Sequence, residues 1–166
     1  MKLTKEDVQK RVFKDGKPLS LDMFDWCEDS RRFSSEVNEL VIDFTGIDSV
    51  GFNVAYGCTF KTGSNCTFNT KSDCMFYTGS NCEFDTHSYC MFKTDSYCVF
   101  YTRSNCVFHT GSNCKFDTES DCTFVTRSNC AFKTDSNCVF NTGSNCAFYT
   151  DDGCLFKNVS GCKFEK

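Results

Sequence analysis

An eight-residue period runs unbroken through most of this chain, and it leaves few folds open. Cysteine recurs at Cys58, Cys66, Cys74, Cys82, Cys90, Cys98, Cys106, Cys114, Cys122, Cys130, Cys138, Cys146, Cys154 and Cys162. Phenylalanine follows two residues behind each, at Phe60, Phe68, Phe76, Phe84, Phe92, Phe100, Phe108, Phe116, Phe124, Phe132, Phe140, Phe148, Phe156 and Phe164. The consensus is Cys-x-Phe-x-Thr-x-Ser-x, with threonine kept from Thr62 to Thr150 and serine from Ser64 to Ser144. Such regularity marks a solenoid, whose repeats bury their apolar faces only against one another. The four fixed positions share one parity, and alternate side chains of an extended chain point to one side. Cysteine and phenylalanine therefore form an inward ladder, while the variable, mostly polar residues face solvent. Helical repeats do not fit, because eight is a poor multiple of 3.6 and Thr, Phe, Asn and Gly are weak helix formers.

Eight residues cannot all be strand, since a solenoid must turn. The residue before each cysteine shows where. Of the thirteen such positions from Asn65 to Gly161, seven are Asn, two Asp and two Gly, with only Tyr89 and Tyr97 outside that set. Asn, Asp and Gly tolerate positive φ, so the cysteine–phenylalanine stretch is a short strand and Thr-x-Ser-Asn a corner.

Sorting the repeats into odd and even, with Cys58 opening the first, separates their chemistry. The residue between Cys and Phe is never charged in odd repeats, but includes Glu83, Lys115 and Lys163 in even ones. Glycine between Thr and Ser (Gly63, Gly79, Gly111, Gly143) occurs only in odd repeats. The true period is then sixteen residues. The expected fold is an all-β, two-sheet parallel β-solenoid of about eight coils with a short helical N-terminal cap. Ile42 and Phe44, then Val50 and Phe52, extend the Cys and Phe registers upstream by one coil without cysteine. Eight coils at the strand spacing of about 4.8 Å make a rod roughly 38 Å long.

Residues 1–40 break the period and form the cap, leaving 41–166 as the solenoid. Thr4 and Asp7 form a capping box, and Val8 and Val12 line one face of the short helix it opens. Asp15-Gly16 is a turn, and Leu19, Leu21, Phe24 and Trp26 are apolar cover. The cap hides the first coil's unpaired edge, or serves as an adaptor for a partner. At the other end the chain stops just after a strand, where Lys163, Glu165 and Lys166 guard an edge that could otherwise pair with a second rod.

Composition excludes several classes. Net charge is −4 with no basic block, which argues against direct nucleic-acid binding. No run of 18 apolar residues suggests a membrane span, and no apolar leader suggests export, so a cytoplasmic or virion-associated location is expected. Fifteen cysteines would suit a secreted disulfide scaffold, but stacked rungs about 4.8 Å apart with parallel Cβ vectors miss disulfide geometry, so reduced thiols are expected. One inward cysteine per strand does not gather the four ligands zinc prefers. His87 and His109, the two histidines, fall on opposite faces, and no nucleophile elbow, phosphate loop or zinc spacing accompanies them. The expectation is a non-enzyme with no cofactor, metal or small-molecule substrate.

Runs such as Gly63-Ser-Asn-Cys-Thr-Phe-Asn-Thr70 and Gly111-Ser-Asn-Cys-Lys-Phe-Asp-Thr118 resemble octapeptide-repeat proteins encoded by tailed bacteriophages. The resemblance covers residues 42–164. More loosely, the chain is similar to pentapeptide-repeat solenoids, although the period differs. The resemblance implies a phage origin and a β-solenoid, and carries over no functional residues.

For function, the odd face stands out. It carries an outward apolar row of Met75, Met91, Val107, Val139 and Leu155, with Tyr77 and Tyr97 adding aromatic surface. Its charges are Lys61, Lys93, Arg127 and Lys157 against Asp95. An apolar stripe of this kind marks a partner site, although scattered surface residues favoured for β-propensity would look the same. The expected role is a structural or protein-binding module, associating through this face or the C-terminal edge with itself, as a homodimer or larger homo-oligomer, or with another protein. The alternative is nucleic-acid mimicry by the even face, whose nine acids outnumber five bases. Ice binding would need a regular outward threonine array, which the inward parity of the Thr column denies.

Overall fold

The computed structural model describes residues 2–165. It is a two-sheet parallel β-solenoid of about eight coils, at some sixteen residues per turn, with one short helix at the N-terminus. Successive strands alternate between two ten-stranded sheets, so each odd repeat pairs with the odd repeats above and below it, and each even repeat with even. The register is unbroken: Phe76 lies beside Phe92 and Phe92 beside Phe108 in the odd sheet, and Phe84 beside Phe100 and Phe100 beside Phe116 in the even sheet.

The core is a double aromatic column. Rings of one sheet stack at 4.8–5.0 Å, nearly parallel, as in Phe92–Phe108 and Phe116–Phe132. Rings of opposite sheets meet edge to face at about 5.2 Å, as in Phe92–Phe100. Both geometries are favoured by the ring quadrupole. Cysteine fills the thinner margin beside each ring, and all fifteen cysteines are free thiols. Each inward sulfur lies under turn carbonyls with one to three of them within reach of its S–H, as Cys82 Sγ has Gly63 O at 3.8 Å and Ser80 O at 3.6 Å. The threonines close the core at the strand ends, where they are buried and donate their hydroxyls to the next residue's carbonyl. Ladder burial fails only in the last coil: Cys154, Phe156 and Cys162 are half-buried, and Phe164 is 53% exposed.

The corners are left-handed. All thirteen residues before Cys66 through Cys162 have φ between +58° and +80°, including Tyr89 (+61°) and Tyr97 (+65°). The odd-repeat glycines have a different task. Ser64, Ser96 and Ser128 each turn Oγ toward the coil above and accept the backbone N–H of Ser80, Ser112 and Ser144 at 2.9–3.1 Å. A Cβ at Gly79, Gly111 or Gly143 would collide with that same Oγ. From Gly79 onward glycine thus stands over every second odd-side serine, while Gly63, one coil below Gly79, makes the same room for Asp48 Oδ1, which accepts the Ser64 N–H at 2.7 Å.

The N-terminal segment closes one end. The capping box of Thr4 and Asp7 is present and opens α1 (Lys5–Gln9). Val12 is not on that helix: it begins β1 (Val12–Lys14), which turns through Asp15-Gly16, both at positive φ, into β2 (Lys17–Pro18). A 3₁₀ turn (Leu21–Met23) then leads to β3 (Asp25–Cys27), β4 (Arg32–Ser35), β5 (Val41–Phe44) and β6 (Gly51–Val54). The cap closes both sheets by antiparallel pairing, β1 on β5 and β3 on β4. The chain's one proline, Pro18, lies on the outermost strand of its sheet, where a missing N–H blunts an edge. Because β4 pairs in parallel with β6, Phe33 beside Phe52, solenoid pairing begins inside residues 1–40.

The upstream register differs from expectation in one strand. Val50 and Phe52 occupy the Cys and Phe slots, but Ile42 pairs with Phe60 and Phe44 with Thr62. Leu40, fully buried, takes the Cys slot and accepts the Thr59 N–H there. The cause is the Thr45–Ser49 turn, two residues longer than the repeat corner and carried by positive φ at Gly46 and Ser49.

Candidate binding face and groove

The odd sheet presents two outward columns. One runs Thr59, Met75, Met91, Val107, Thr123, Val139, Leu155, and the other Lys61, Tyr77, Lys93, His109, Val125, Asn141, Lys157. Met75, Met91, Val107, Val139 and Leu155 thus form a single line, with Met91 45% and Leu155 62% exposed. Tyr77 joins the second column. Tyr97 does not lie on the sheet: it stands on the corner before Cys98, 60% exposed, because positive φ turns it out of the strand.

The second column and the adjoining corners enclose an open groove of about 920 Å³. Its floor is Thr62, Thr78, Thr94 and Thr110 with the bare backbone of Gly79 and Gly111, and its walls are Lys61, Tyr77, Lys93, His109, Asp95 and Arg127. The glycines that admit the serine hydroxyls also leave this channel unfilled. Along it, Lys61, Lys93 and Arg127 recur every second coil, with Tyr77 and His109 on the coils between them. Sequence reading counted these cations on the odd face but did not gather them into one channel. The alternation of Gly79 and Gly111 with Asp95 and Arg127 was the available signal.

The even sheet is electrically different from expectation. Of the nine outward acids of the even repeats, only Glu83, Asp85, Asp117 and Glu165 lie on its strands, where Lys115, Lys133 and Lys163 nearly balance them. Lys133 pairs with Asp117 at 3.1 Å. The other five, Asp73, Glu119, Asp121, Asp135 and Asp151, sit on the turns along one edge of the rod. The two histidines part in the same way, His109 on the odd sheet and His87 on an even-side turn.

The thiol rows are buried from Cys58 to Cys146. Hydrogen bonds between neighbouring rungs hold Cys58, Cys82, Cys106, Cys130 and Cys138 above the ordinary thiol value and their rung partners Cys66, Cys74, Cys114, Cys122 and Cys146 below it, while burial pushes all of them up. Cys27 is the opposite case: exposed in the cap, it is lowered by a hydrogen bond with Ser30. Among the described residues no three His, Cys, Asp or Glu side chains come together as metal ligands, and no helix is long and apolar enough to cross a membrane. No known family, curated protein or solved structure matches this chain.

Proposed function

We propose that this chain is a non-enzymatic, phage-encoded structural or protein-binding solenoid that associates with a second copy through the apolar column of its odd sheet. The observation that carries the reading is the column of Met75, Met91, Val107, Val139 and Leu155 on a regular sheet, with Met75, Met91 and Leu155 exposed, Val107 and Val139 half-buried, and Thr123 the one break between them. An aligned apolar surface of this kind is what soluble monomers avoid and interfaces use. The column lies to one side of the sheet, so two copies can overlap on it while their Lys61–Lys93 columns stay clear at the outer margins. That placement avoids burying like charges opposite one another. The charge balance of the even strands favours this reading over mimicry of nucleic acid, which needs an uninterrupted negative field. The phage origin rests on the repeat resemblance alone.

Replacing Met91 and Val107 together by Lys tests the reading. Sedimentation velocity should show association lost while far-UV circular dichroism is unchanged. A sedimentation profile equal to that of the unaltered chain refutes it.

A further inference from the structure

The groove beside the apolar column has a chemistry of its own. Its cations stand on alternate coils: Lys61 and Lys93 share one column about 9.7 Å apart, twice the coil rise, and Arg127 lies two coils further on but two residues along, on the corner beyond Val125. Between them stand rings, Tyr77 and His109, at the same step. Asp95 is the single acid in the lining. The floor offers threonine hydroxyls and bare glycine backbone, so an occupant can lie close to the sheet.

A ligand that satisfies Lys61 and Lys93 together must be extended and must show negative groups roughly 10 Å apart on one side, with the next one reached by the long Arg127 side chain from the corner. A β-strand shows same-side residues about 7 Å apart, and nucleic-acid phosphates follow one another more closely still. A polyproline II helix has three residues per turn and a rise of about 3.1 Å, so every third residue recurs on one face at about 9.3 Å. Such helices dock in aromatic-lined grooves, where ring faces take the residues between anchors. We propose that the groove binds an extended acidic peptide in the polyproline II conformation, with a carboxylate at every third residue. Lys61, Lys93 and Arg127 would hold the carboxylates, and Tyr77 and His109 would stack on the residues between. The inference rests on the protein-binding reading, but uses the cation column and leaves the apolar column free for the second copy.

Fluorescence anisotropy with a labelled (Glu-Pro-Pro)5 peptide at low salt tests it. The peptide should bind, and affinity should fall as salt is added. Lys61→Glu with Lys93→Glu should weaken binding by roughly tenfold or more, and Tyr77→Ala should weaken it less. Lys115→Glu with Lys133→Glu, on the other sheet, should leave it unchanged. The spacing rule falls if a peptide of equal composition with its glutamates in one block binds as well. The ligand class falls if single-stranded DNA or an acidic polysaccharide binds more tightly under the same conditions, or if (Glu-Pro-Pro)5 does not bind at all. Each of these results leaves the sedimentation behaviour of the Met91 and Val107 variant untouched, so this inference can fail while the self-association reading stands.

Discussion

Replacing Gly111 by Ala tests why glycine recurs every second coil. The added methyl would overlap Ser96 Oγ and lie 2.8 Å from Ser96 N and 3.0 Å from Asp95 C. Those last two atoms are backbone and cannot rotate away, so the corner itself must move. Overpacking of this kind costs about 1–3 kcal/mol. Moving the corner also breaks the 2.9 Å bond from Ser112 N–H to Ser96 Oγ, worth a further ~1 kcal/mol. The expected loss is therefore about 2–4 kcal/mol, read as a lower urea midpoint at constant slope. Adding Ser96→Ala to Gly111→Ala removes the worst overlap but not the backbone contacts. The pair should therefore recover part of the loss, with a coupling of about 1–2 kcal/mol. Asp95→Ala, at the equivalent corner position one coil away, should stay within about 0.5 kcal/mol. If Gly111→Ala proved as mild as Asp95→Ala, the serine hydroxyl would not be what keeps glycine there.

Further outcomes follow from the same geometry. Tyr89 and Tyr97 are bulky residues held at positive φ, so Tyr97→Asn or Tyr89→Gly should raise stability by about 1 kcal/mol in urea melts; a loss would show that the rings make contacts worth more than the strain. In the native protein an Ellman titration should find Cys27 reacting first, Cys154 and Cys162 more slowly, and the twelve buried thiols only on unfolding. Because Ser30 lowers the Cys27 thiol, Ser30→Ala should move its alkylation profile to higher pH; an unmoved profile removes that role. Thiols whose folded value is raised stabilise the fold fully below the unfolded thiol value of about 8.5 and lose that contribution as pH rises. Cys58, Cys82, Cys106, Cys130 and Cys138 are of this kind. Stability should therefore fall as pH rises above about 9. Circular dichroism unchanged at pH 11 would refute it.

How much of this was readable from the residues depends on whether information was local or lay between coils. Parity placed Cys58 through Phe148 inside, and the Asn, Asp and Gly before each cysteine announced the left-handed corner. That signal was strong enough to carry Tyr89 and Tyr97 with it, against their own preference. Reading failed where a length changed. Ile42 and Phe44 look like a Cys–Phe pair, but the two extra residues of the Thr45–Ser49 turn shift them by one inward position. Parity cannot report that shift, because moving by two keeps every side chain on its own face. Tyr97 was assigned to the odd face for a related reason: outward parity is shared by strand and corner alike. The groove was missed because its walls come from residues sixteen or thirty-two apart, and its opening depends on what Gly79 and Gly111 lack. The same holds for charge. Counted by repeat, the even side is acidic; divided by the corner between strand and turn, its sheet is nearly balanced and its edge is not. In a solenoid a residue's neighbours are set by the coil length more than by the chain, so the surface has to be read down the columns, and it is there that Lys61 and Lys93 fall into line with Arg127 on the corner beside them.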